Sequence, residues 1–292
     1  MRVLLVIGAL LLVFGLMYVL RPGPPAADPP PGTTRTVLAY GSGPDQHGEL
    51  WLPDSDGPFP VVVLIHGGFW GSQYGADLMD ALAADVVRQG WAAWNIEYRR
   101  VGAGGGWPAT FEDNAAAVDH LAAITGRFNL DLDQVATVGH SAGGHLALWL
   151  ASRTKLPDGA PGADPVVRPV LAVSQAGVAD LRAAASNGVG SGAVQALMGG
   201  DPTDVPERYE MGSPTELLPL GVPSVLVHGE SDPLVPIAQS RGFLRDAQAA
   251  GDDVRLVALP GGHFEHLDPG TPEWAAVIEA VTLAFAAPTP EP

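Results

Sequence analysis

Pro60 to Ile65 reads PVVVLI, an apolar run with no polar position inside it. A strand with one wet face alternates apolar and polar residues. A continuous run of aliphatic residues needs burial on both faces, as in a parallel sheet held between layers of helices. Short β-rich runs recur along the chain at Trp91–Tyr98, Gln134–Val138, Val170–Gln175, Val222–His228 and Val254–Leu259. Thr34–Tyr40 and Gly48–Leu52 read as a leading pair of strands. Between the runs lie segments with helical spacing: Tyr74–Gln89, Thr110–Thr125, Ala142–Arg153, Ile237–Ala250 and Thr271–Ala287. In the last of these Trp274, Val277, Ile278, Val281 and Phe285 make one apolar stripe. Strand and helix in alternation predict an α/β fold with a mostly parallel sheet covered on both faces.

Functional groups in such sheets gather at the carboxyl ends of the strands. Four loops there carry chemistry. HGGFWG follows Ile65, GHSAGG follows Val138, GESDPLVP follows His228, and PGGHFEH follows Leu259. A serine, an acid and a histidine therefore each follow a strand, in the chain order Ser141, Asp232, His263. Serine's hydroxyl is a poor nucleophile at neutral pH and needs a base within hydrogen-bond reach. Gly139 and Gly143 bracket Ser141 in a G-x-S-x-G pentapeptide and permit a sharp strand-to-helix turn. The pentapeptide alone is equally compatible with a glycine-rich turn and an N-capping serine. The other three loops favour the nucleophile.

The set resembles the α/β-hydrolase superfamily over Gly32 to Ala287. The HGGFW of His66–Trp70 is similar to the HGGxW loop of kynurenine formamidases and related small-molecule esterases. EYRR at Glu97–Arg100, GWPATFEDNAAAVDHL and GHSAGGHLAL resemble the esterase and lipase branch that includes feruloyl-esterase-like proteins. The resemblance implies an eight-stranded sheet, a Ser141–His263–Asp232 triad and an oxyanion hole. One oxyanion donor would be the Ala142 amide. The second would come from Gly67-Gly68-Phe69, with Gly68 and Phe69 both open. His66 would orient that loop, with Gly67 letting its backbone approach. His266 is the alternative base and Glu230 the alternative acid. Trp70, Trp107 and Phe264 sit in loops at the same edge and read as pocket-lining or as ordinary packing.

Between Gln175 and Val222 lies an insert, about residues 177–217, too long for a plain connection. It reads as a small helical lid with glycines at 188, 190 and 192, or as a rigid peripheral helix pair.

The chain has 292 residues with Lys+Arg 15 against Asp+Glu 32, a net charge of −17. Such a surface repels phosphate backbones and argues against nucleic-acid binding. Cysteine is absent, which excludes disulfides, thiolate catalysis and cysteine zinc sites. No H-E-x-x-H and no convincing carboxylate set is present, so neither metal nor cofactor is expected.

The first 21 residues are of another character. Val3–Leu20 holds no charge and is flanked by Arg2 and Arg21. As a helix it would span about 27 Å, enough for a bilayer core. It reads as a signal anchor or a cleaved signal peptide, either of which places the domain outside the cytoplasm. Residues 22–33 are proline-rich and read as an extended tether, residues 34–287 as the domain, and residues 288–292 as a tail. The expected activity is hydrolysis of small or medium carboxylic esters through an acyl-enzyme. Amide hydrolysis on N-formyl arylamines and a non-catalytic, membrane-tethered binding module are the alternatives.

Overall fold

The computed structural model describes residues 28–287. The apolar Val3–Leu20 segment, the first half of the proline-rich tether and the 288–292 tail lie outside the described residues. Among the described residues eight strands form one sheet: β1 Thr33–Ala39, β2 His47–Pro53, β3 Phe59–Ile65, β4 Ala92–Ile96, β5 Leu130–His140, β6 Leu171–Gln175, β7 Ser224–Gly229 and β8 Val254–Leu259. Their order is β1-β2-β4-β3-β5-β6-β7-β8. β2 pairs antiparallel with β1 and β4, and every other pairing is parallel.

Burial on both faces of β3 is direct. Val61, Val63 and Ile65 belong to one core, while Val62 and Leu64 belong to the other. The first core is closed by α2 (Ala109–Phe128) and α3 (Ala142–Ser152), the second by α1 (Asp80–Arg88) and α8 (Pro272–Ala286). α7 (Ala238–Ala250) covers the β7–β8 end of the sheet through Phe243 and Ala247. The helix expected over Tyr74–Gln89 starts later. Gly75 is extended, Ala76–Met79 is a single 3₁₀ turn, and the α-helix begins at Asp80. Asn95 Nδ2 donates to the Ala76 carbonyl at 2.9 Å, an acceptor that a helix would offer to the Asp80 amide, while the Ala76 amide, a first-turn donor with no partner inside a helix, is met by Glu97 Oε2 at 3.1 Å. β5 is longer than its apolar stretch. Its polar beginning at Leu130 and Asp131 pairs with Phe59 and Pro60 before the register shifts at Val61.

The insert forms three short helices, α4 Leu181–Ser186, α5 Ala193–Met198 and α6 Pro206–Gly212, rather than a pair. Two buried side chains of α3 fasten it. His145 Nε2 donates to the Gly212 carbonyl at 2.8 Å, and Trp149 Nε1 donates to the Met211 carbonyl at 2.8 Å. At its other end Gly188, Gly190, Ser191 and Gly192 are all left-handed. A side chain at Gly190 would lie 2.7 Å from the Phe69 ring, so the insert meets the HGGFW loop there.

Candidate active site

Ser141 stands between β5 and α3 at φ 56°, ψ −116°. That conformation is sparsely populated for any residue with a Cβ and persists only where the surroundings enforce it. The enforcement is visible. The Ser141 amide donates to the Gln175 carbonyl at 2.7 Å. A Cβ on Gly143 would lie 2.0 Å from the Ile65 carbonyl oxygen, and one on Gly139 2.0 Å from the Gly143 oxygen. The two pentapeptide glycines are thus required by backbone-to-backbone approach, as the turn argument expects. Ala142 opens α3, and a first-turn amide has no partner inside its helix.

The HGGFW loop lies against this turn. A Cβ on Gly67 would be 2.9 Å from Ser141 Cβ and 2.7 Å from the His140 carbonyl. Gly68, Phe69 and Trp70 follow at φ 107°, 53° and 55°. Three successive left-handed residues turn the chain tightly, and a Cβ on Gly68 would collide with Tyr74. Neither the Gly68 nor the Phe69 amide meets an acceptor among the described residues. His66 is buried, stacks on Tyr98 at 4.3 Å, and places Nε2 2.9 Å from Glu97 Oε1 and Nδ1 2.8 Å from the Gly67 carbonyl. Burial alone would raise the Glu97 pKa. The His66 hydrogen bond, the Tyr98 amide and Arg100 outweigh it and hold that carboxyl below its ordinary value.

The acid and base loops meet at the ends of β7 and β8. A Cβ on Gly229 would lie 2.3 Å from the carbonyl oxygens of both Gly261 and Gly262. His263 Nδ1 stands 2.6 Å from Asp232 Oδ2. Asp232 Oδ1 accepts the Leu234 and Val235 amides at 2.8 and 2.9 Å. His228 lies behind: its Nδ1 faces Ser240 Oγ at 2.7 Å, and its Nε2 faces the Val235 carbonyl at 2.9 Å and Asp232 Oδ2 at 3.4 Å. Burial opposes ionisation of Asp232, but these donors outweigh it and hold the carboxyl far below the usual range. The group is ionised throughout neutral pH.

Glu230 is exposed and faces Arg241 at 3.4 Å. His266 is fully buried, and burial with the neighbouring His263 and His228 lowers its pKa to about 3. Trp70 is 1% exposed and packs edge-on to His145 inside the core. Trp107 is half-buried against Phe111, and Phe264 packs on His263 and His140. A polar cleft of about 310 Å³ runs along Ser231, Pro233 and Gly261 to Glu265, with His263 in its wall. Among the described residues no group of three or more metal-ligating side chains converges. The EYRR stretch contains Glu97 but gives it no role, and Gln175 stands in no motif. Both stand at a strand's carboxyl end, as the other site residues do.

The buried histidines bear on stability. His145 is held at about 4 by burial, and His140 lies well below 6.5 through burial and the nearby His263 and His266. Below pH 6.5 the unfolded chain protonates these rings and the native fold does not, so the unfolded state binds more protons and stability falls as the pH falls. The loss runs from the unfolded value down to each folded value. The free energy of unfolding is expected to be level from pH 8 to 7 and to drop between about 6.5 and 5, at up to roughly 1.4 kcal/mol per pH unit for each ring, and the melting temperature to fall with it. His145→Leu should flatten that slope in thermal scans; an unchanged slope would refute the assignment.

The BD-FAE sequence profile matches residues 49–246, more than half of the chain. The chain belongs to the BD-FAE family. It lies in an esterase branch of the α/β-hydrolase superfamily. The match takes in the HGGFW and GHSAGG loops and Asp232 and ends before His263. Family relatives include Esterase LipC of Mycobacterium tuberculosis, 29% identical over 80% of this chain and 60% of the relative. Esterase LipQ of the same organism is 31% identical over 76% of this chain and 54% of the relative. This chain thus spans between half and two thirds of those proteins. Among solved structures, a truncated carbohydrate esterase from gut microbiota superposes with a TM-score of 0.77 at 22% identity, covering 90% of this chain and 99% of the other. An inhibited Esterase B from Lactobacillus rhamnosis superposes at 0.76 and 21%, covering 89% and 88%. These likenesses establish the fold, with the eight-stranded, mostly parallel sheet expected for this superfamily.

Proposed function

We propose that this member of the BD-FAE family is a serine hydrolase of carboxylic esters with small or medium substituents. Ser141 Oγ attacks the ester carbonyl while His263 Nε2 takes its proton. The carbonyl oxygen, now negative, is met by the Ala142 amide and by the Gly68 or Phe69 amide. The alkoxide leaves with the proton from His263, and an acyl-Ser141 ester remains. Water then attacks that ester with His263 again as base, releasing the acid and restoring Ser141.

The observation that carries this reading is the 2.6 Å contact between His263 Nδ1 and Asp232 Oδ2. An ionised carboxylate can only accept, so Nδ1 holds the hydrogen and Nε2 is left with its lone pair. The relatives named esterases support ester over amide chemistry. Among the described residues no helix is long and apolar enough to cross a membrane, so anchorage rests on Val3–Leu20. We place the domain outside the cytoplasm, tethered by that segment.

One preparation tests both parts. The full chain is expressed, cells are fractionated, and each fraction is assayed with p-nitrophenyl acetate and butyrate and with N-formyl arylamines. Ester turnover is expected in the membrane fraction. Faster cleavage of the formyl amide would replace the ester reading with the amidase one. Activity wholly in the medium, on a chain starting near Ala27, would overturn the anchor.

A further inference from the structure

The catalytic geometry proposed above requires His263 to stand within about 2.6–3.2 Å of Ser141, yet the two residues come from different loops. Most bonds of the base loop stay within it or run to the acid loop. Gly262 donates to Glu265 Oε2 at 3.0 Å, Ser231 donates to the Gly261 carbonyl at 3.1 Å, and His263 pairs with Asp232. None of these ties the base loop to the strand that carries the nucleophile.

Two other bonds do. His140, the last residue of β5, places Nε2 2.8 Å from the His263 carbonyl. Gln175, the last residue of β6, donates Nε2 to the His266 carbonyl at 3.0 Å. The two residues are register partners across the β5–β6 ladder. Both also frame the nucleophile, because His140 precedes Ser141 in the chain and the Gln175 carbonyl receives the Ser141 amide at 2.7 Å. A Cβ added at Gly67 would lie 3.1 Å from His140 Nδ1, so the ring also packs close to the HGGFW loop. Both side chains are buried, His140 at 3% and Gln175 at 0% exposure. A carbonyl can only accept, so His140 must carry its hydrogen on Nε2.

We propose that His140 and Gln175 are positioning residues that pin the base loop to the nucleophile turn, fixing His263 relative to Ser141. They act through His263 and touch no reacting atom. The proposal rests on the serine-hydrolase reading, since only a Ser141–His263 proton transfer makes their spacing matter. Misplacing a reacting group by about 1 Å can cost on the order of 10²-fold in rate. Loss of a pin should therefore appear in kcat and leave KM nearly unchanged.

Isosteric amides separate the pin from simple packing. Glutamine at position 140 can set its amide nitrogen where the imidazole Nε2 stands. Asparagine reaches only the Nδ1 position and leaves the His263 carbonyl unpaired. His140→Gln is expected to keep kcat within about threefold of wild type. His140→Asn should lower kcat about 10–100-fold, with KM within twofold and a near-native melting temperature. Gln175→Asn should do likewise. The double variant should lose less than the product of the single losses, because both act on one loop. Equal kcat for His140→Gln and His140→Asn, or a loss confined to KM, would overturn the proposal. Imidazole nitrogen NMR of the wild-type protein gives a reading that needs no variant: His140 should stay in the Nε2–H form from pH 5 to 9, and an Nδ1–H form would overturn the pin. Should wild type and Ser141→Ala turn over esters equally, the hydrolase reading fails instead, and the NMR result still stands or falls alone.

Discussion

Ser141→Ala is expected to lower kcat on a p-nitrophenyl ester by about 10⁴–10⁶-fold while KM stays within a few-fold of wild type. The size follows from what the side chain does and what it leaves behind. Its Oγ would form the acyl bond, so its removal ends the covalent route altogether. Oxyanion donors and binding alone still accelerate attack by water, which sets a floor of about 10³–10⁴ over the uncatalysed rate. The fold should survive. Ser141 is held by its amide on the Gln175 carbonyl and by a left-handed φ of 56°. Alanine keeps both the amide and the Cβ, so the variant inherits the same backbone strain and adds none. A near-wild-type rate with p-nitrophenyl butyrate, in enzyme freed of host esterases, would remove Ser141 from the mechanism.

The fold was legible because its signals are local and redundant. Val61–Ile65 is buried on both faces and cannot be read any other way, and the helices have stripes that match their cores. What escaped is what two distant segments decide together. Tyr74–Gly75 is sequence-compatible with a helix, but Asn95, some twenty residues on, takes the Ala76 carbonyl that a helical first turn would use. The sequence starts this strand at Gln134, but Leu130 and Asp131 already pair with Phe59 and Pro60. The site shows the same division. Ser141, Asp232 and His263 stand in short motifs at strand ends. Gln175 stands in no motif, and Glu97 opens the EYRR stretch without a visible role there, because a glutamate and a glutamine become meaningful only once His66 and the base loop are laid against them. The tryptophan of HGGFW shows the limit from the other side. Its place in a loop is compatible with a pocket wall and with packing, and the left-handed Phe69–Trp70 step sets the indole inward against His145.

Asp232→Asn is expected to lower kcat about 10⁴-fold with little change in KM, and the direction of the amide explains why. Asp232 Oδ1 accepts two backbone amides, those of Leu234 and Val235. Asparagine must keep its carbonyl oxygen there, since an NH₂ would face two donors. Its NH₂ is thereby forced into the Oδ2 position, facing His263 Nδ1. An N–H donor at that place makes Nδ1 the acceptor and moves the ring hydrogen to Nε2. The lone pair that would accept the Ser141 proton is gone, although every heavy atom is nearly where it was. Glu230→Gln is the matched control. That side chain is exposed and faces Arg241, so its activity should lie within about twofold of wild type, as for most surface changes. Steady-state kcat and KM for both variants, with melting temperatures to confirm folding, check the assignment. A large loss in Glu230→Gln beside a small one in Asp232→Asn would move the acid to Glu230. It would also leave unexplained why three donors from two loops and a buried histidine converge on Asp232.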